Sequence, residues 1–85
     1  MTEMELRARF ESARSRAAST FEEAARLRHA WHSMRRWRNV RAARALRRQM
    51  WDAEDAYRIA ERQASAAHQE LHLAFRQRQA TADVT

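Results

Sequence analysis

Apolar side chains recur every three or four residues along most of this chain, but in two series that do not share a phase. The first passes through Glu3, Leu6, Phe10, Ala13, Ala17, Thr20, Ala24, Leu27, Trp31 and Met34. Extended in step, it would next seat Arg38, Arg41 and Arg48, which no apolar seam accepts. The second series runs Ala43, Leu46, Met50, Ala53, Tyr57, Ala60, Ala64, Ala67, Leu71 and Ala74. Two in-phase heptads separated by a phase jump predict two helices and a turn, not one rod.

Local signals place the boundaries. The 85 residues contain no glycine and no proline, so the usual helix breakers are missing. Thr2-x-x-Glu5 is a capping-box pattern, which starts the first helix near Glu3. We expect helix one over about 3–36, a turn over about 36–40, helix two over about 40–79 and a frayed tail over 80–85. Asn39 lies in the gap, able either to end helix one in a left-handed conformation or to cap helix two. Ser19 and Thr20 ahead of Glu22 and Glu23 resemble a second capping box, a competing signal for a break in helix one.

The predicted fold is all-α: an antiparallel two-helix hairpin of coiled-coil type, forming a single domain over residues 1–85. Partner numbers across the seam would sum to 77, so that Leu27 faces Met50, Thr20 faces Tyr57 and Phe10 faces Ala67. Each arm would be roughly 50–60 Å long at 1.5 Å per residue. An alanine-rich seam buries little surface, and without cysteine no disulfide can help. Oligomerisation or docking into a larger assembly would complete the core. The expected partner interface is Phe21, Trp51, Ile59, Leu73 and Phe75, which fall outside the seam. Ile59, Ala66 and Leu73 share one heptad position.

Charge is distributed as unevenly as the apolar residues. All seventeen basic side chains are arginine, against eleven acids. Nine of those arginines lie between Ala24 and Trp51, where there is no acid at all. In a hairpin this gathers a charge of +9 at the tip and leaves the opposite end mildly acidic. Arg9 should meet Glu70 and Arg14 should meet Glu61 near the open end, while Arg28 and Arg35 face the arm carrying Arg47, like against like. Phosphates would relieve that crowding and release their counterions, and the planar guanidinium grips them through two bonds. The expected nucleic-acid contacts are Arg35, Arg36, Trp37, Arg38, Arg41, Arg44, Arg47 and Arg48, with Trp37 stacking on bases. Nothing here resembles a base-reading motif, so the contacts, to DNA or RNA, would be insensitive to base sequence.

Catalysis and cofactors find little footing. Without glycine there is no phosphate-cradling loop and no nucleophile elbow. His29-x-x-His32 and His68-x-x-x-His72 have helical spacings, but a hairpin holds the two pairs at opposite ends, so no metal site is expected. Asp52, Glu54 and Asp55 read as helical ion-pairing residues, for example Glu54 with Arg58. No cofactor and no enzymatic activity are expected. The alternative to nucleic-acid binding is a structural or adaptor hairpin working through its apolar faces. No secretory signal and no membrane span is visible, so the expected setting is the cytoplasm or the interior of a nucleoprotein or viral particle.

Trp37-Arg38-Asn39 at the turn resembles the Trp-x-Gly of the WXG-type secreted helical hairpins, with asparagine in place of glycine. Tyr57-Arg58-Ile59-Ala60-Glu61 resembles their Tyr-x-x-x-acid signal, although here it sits within a helix. The resemblance extends to length and the lack of cysteine, and it implies the hairpin architecture alone.

Overall fold

The computed structural model describes residues 2–84. Helix α1 spans Glu3–Ser33 and helix α2 spans Val40–Val84. The two lie antiparallel, in a molecule 71 × 16 × 14 Å. No strand occurs among the described residues. The architecture is therefore the all-α hairpin that the phase jump implies.

Capping chemistry starts both helices. Thr2 is extended, and its Oγ1 accepts a 3.2 Å hydrogen bond from the Glu5 N–H. Asn39 caps α2 in the same way, its Oδ1 accepting from the Ala42 N–H at 3.0 Å. No described residue has a positive φ, so asparagine does not act through a left-handed conformation. Ser19 and Thr20 leave α1 unbroken; the Thr20 hydroxyl donates instead to the Arg16 and Ala17 carbonyls within the helix.

Two boundaries differ from expectation. Helix α1 stops at Ser33, about three residues early, and Met34 is already extended with ψ 140°. The early end is satisfied locally: Trp31 O accepts from both the Met34 N–H and the Arg36 guanidinium, each at 3.4 Å. Arg36 therefore caps a helix end and belongs to the connecting segment 34–39, as do Arg35, Trp37 and Arg38. At the other end α2 continues beyond 79 to Val84, and Thr85, the last residue of the expected tail, lies outside the described residues. Ala80 and Ala82 favour helix, and the Thr81 hydroxyl donates to the Gln77 carbonyl at 2.9 Å.

The seam holds the heptad residues of both arms, from Glu3 to Met34 and from Ala43 to Ala74, every one of them buried or half-buried. Ala13 at 3% exposure and Leu27 at 6% are among the deepest. Ring contacts confirm the register within one residue: Phe10 meets His68 at 5.2 Å and Phe21 meets Tyr57 edge-on at 5.3 Å. Across the open end, Arg9 pairs with Glu70 at 3.4 Å and Arg78 with Glu3 at 2.7 Å. Arg14 and Glu61 line one shallow groove without forming an ion pair.

Such a seam is thin. No described side chain is completely buried. The chain exposes 7084 Å², whereas a compact chain of this size would expose about 5,300 Å². Its radius of gyration, 19.5 Å, compares with roughly 12 Å for a compact domain of equal length.

Candidate nucleic-acid interface

The segment from Met34 to Arg48 forms the closed end of the hairpin. A tight turn, with the Arg38 N–H donating to the Arg35 carbonyl at 3.1 Å, reverses the chain. It projects Arg35, Arg36, Trp37 and Arg38 around the apex, all exposed. Ala43, Leu46 and Met50 turn the first turns of α2 toward α1. Arg41, Arg44, Arg47 and Arg48 are thereby left on its outer surface. All eight expected contact residues are brought to one end of a 71 Å molecule.

None of the seven arginines has a carboxylate within ion-pair distance among the described residues. The neighbouring arginines behave differently. Arg26 is held by Glu23 on its own helix, at 2.6 Å and 3.1 Å. That bidentate contact draws the Glu23 carboxyl below its ordinary range and pushes Arg26 up. Arg28 reaches across the hairpin to Glu54, not toward Arg47 as like charge against like. Glu54 is thus taken by the other arm, and Arg58 pairs with Asp55 at 2.9 Å in its place. Two of the nine arginines are neutralised, and the uncompensated charge of the tip is +7.

The acids behind the tip also correct the expected polarity. Glu22 and Glu23 on α1 lie at about the level of Glu54 and Asp55 on α2, next to Asp52, as the adjacent Phe21–Tyr57 contact shows. They form an acidic collar immediately behind the basic tip. The open end beyond it carries six carboxylates against seven arginines and is close to neutral. Antiparallel folding superimposes 22–28 on 51–58, which concentrates acids that lie apart in the sequence.

Aromatic rings bind several of the exposed cations. Guanidinium carbons lie 4.7 Å from the Trp31 ring centroid (Arg36), 5.4 Å from Trp37 (Arg38) and 4.4 Å from Trp51 (Arg47). Each contact holds a cation in the tip at modest energetic gain. The Arg47–Trp51 stack follows from an i,i+4 helical spacing legible in the sequence. The Arg36–Trp31 stack depends on how the turn folds back. Trp37 remains 75% exposed at the apex.

The expected partner residues are all exposed, but they do not form one surface. Phe21 and Phe75 line grooves on one flank with His68 and Tyr57, and Arg78 covers the Phe75 ring at 5.2 Å. Trp51 is covered by Arg47. Ile59 and Leu73 point from the other flank of α2, roughly a quarter-turn or more away. Partial burial, with the Glu61 carboxylate beside it, pushes the Tyr57 phenol above its ordinary value.

The histidine pairs are separated as expected. His68 and His72 stack at 6.3 Å near the open end, and His29 and His32 lie toward the tip. No group of three potential metal ligands is assembled among the described residues. No described helix is long and apolar enough to cross a membrane.

The tip also conflicts with its own helix. The first turn of α2 contains Arg41 and no acid, although a helix N-terminus favours negative charge. Arg41→Glu should raise hairpin stability by about 0.5–1 kcal/mol, seen as a higher urea midpoint by circular dichroism. An unchanged midpoint would show that the helix dipole does not oppose the tip arginines.

The chain matches no protein-family model, no curated protein and no solved structure. The resemblance to WXG-type hairpins therefore remains one of architecture.

Proposed function

We propose that this protein is a non-enzymatic accessory subunit that grips nucleic-acid phosphates through its arginine-rich tip, without reading base sequence. One observation carries the proposal: seven exposed arginines share one end of the hairpin with no carboxylate in reach, while Arg26 and Arg28 next to them are neutralised. Cations crowded against a helix N-terminus cost stability, and a polyanion offsets that cost. Broken local rules gathered at one place mark a functional site. The setting that goes with this reading is the cytoplasm or the interior of a nucleoprotein or viral particle.

Binding to arbitrary duplex or single strands should weaken linearly on a log–log salt plot, with a slope of about −3 to −6 for engagement of most of the seven arginines. If the protein ignores nucleic acid even at low salt, the proposal fails. A structural or adaptor role then stands in its place, supported by the half-exposed Phe21, Trp51, Ile59, Leu73 and Phe75.

A further inference from the structure

We infer that a second copy of this chain docks antiparallel on the flank of α2 that carries Ile59 and Leu73, with a two-fold axis at Ala66. This inference is independent of what the tip binds. Ile59 and Leu73 are 55% and 57% exposed, and neither covers the seam. They lie seven residues on either side of Ala66, at its own heptad position. Ala66 forms a low ridge between two shallow grooves, one lined by Arg62 and Gln69, the other by Gln63 and Glu70.

The sequence around that ridge is complementary to itself when reversed. An axis through Ala66 sets each residue against the one equally far on the other side. Ile59 meets Leu73 of the second copy, Gln63 meets Gln69, and Arg62 meets Glu70. Symmetry makes each of these contacts twice, as an isologous interface requires. Arg62 has no carboxylate within ion-pair distance in its own chain among the described residues. Glu70 gives Oε2 to Arg9 at 3.4 Å and retains acceptor capacity for a second guanidinium. A parallel pairing would instead set Arg62 on Arg62 and bring two +7 tips together.

Antiparallel overlap of residues 48–84 extends about 54 Å, which over one helix about 10 Å wide offers roughly 540 Å² per chain, the size of a weak, reversible interface. The small side chain at Ala66 lets the two backbones approach closely on the axis. The dimer would carry its two basic tips at opposite ends, about 80 Å apart.

Sedimentation velocity of the full chain over 1–100 μM should show a monomer–dimer equilibrium. Leu73→Glu and Arg62→Glu should each weaken it by about tenfold or more while the circular dichroism spectrum stays unchanged. Combining Arg62→Glu with Glu70→Arg should recover association relative to either single change, the signature of direct coupling. Because the chain lacks cysteine, Ala66→Cys should form a disulfide-linked dimer under mild oxidation, whereas Ala80→Cys alone should not, its mate being Asp52. A monomer throughout that range would overturn the inference. So would equal cross-linking of Ala66→Cys and Ala80→Cys, or a double charge swap that restores nothing.

Discussion

Replacing Arg41, Arg44 and Arg48 together by alanine should cut affinity for arbitrary nucleic acid by about 100- to 500-fold at 0.1 M salt. The figure comes from counterion release. Each lost phosphate contact flattens the log–log salt slope by about 0.9 on duplex and about 0.7 on single strands, so three contacts remove roughly two to three decades at 0.1 M. Position matters here, because the same net charge can be removed elsewhere. Arg14, Arg16 and Arg76 lie outside the tip, and their triple alanine variant should leave the slope nearly unchanged. If both variants flatten it equally, binding follows net charge and not the tip. The tip variant should also be more stable than the parent, because Arg41 and Arg44 oppose the α2 dipole without a compensating acid. Weaker binding together with higher stability distinguishes a lost contact surface from a damaged fold.

Leu27→Asp should abolish cooperative unfolding of the hairpin at 25 °C. Leu27 is 6% exposed, deeper than any other large side chain of the seam, whose neighbours Trp31, Met34, Leu46 and Met50 near the closed end are only half-buried. Removing it forfeits about 2–3 kcal/mol, and a carboxylate left between the arms adds to the loss. A chain of this length has roughly 4–13 kcal/mol of stability in total, and its thin seam puts it toward the lower end. Urea titration followed at 222 nm should then show a shallow, non-cooperative decline, with α1 and α2 retaining only the helicity of isolated segments. A sigmoidal transition near the parent midpoint would mean that the seam is not what holds the arms together. Leu73→Glu on the exposed flank should leave that midpoint almost untouched in dilute solution, because a surface substitution of this kind removes no burial within the chain.

These two substitutions probe properties with different origins. The heptads from Leu6 to Met34 and from Ala43 to Ala74 specified two helices, the face each one buries, and the register between them, which Phe10–His68 and Phe21–Tyr57 match within one residue. Thr2 and Asn39 supplied the starts of both helices. Such features are legible because periodicity and capping depend on neighbours a few residues away. The gathering of seven arginines at one end then follows from the reversal at 34–39.

What tertiary structure decided is how long side chains are satisfied. Arg28 chooses Glu54 on the other arm, Glu54 is thereby lost to Arg58, and Arg36 folds back on Trp31 to end α1 at Ser33. The acidic collar exists only once 22–28 lies beside 51–58. The division of the exposed apolar residues between two flanks likewise depends on the rotation of α2 about its axis against α1. A guanidinium on four rotatable bonds can reach carboxylates a turn away or across the seam with similar energy. Sequence spacing does not rank those partners; the distance between the arms does.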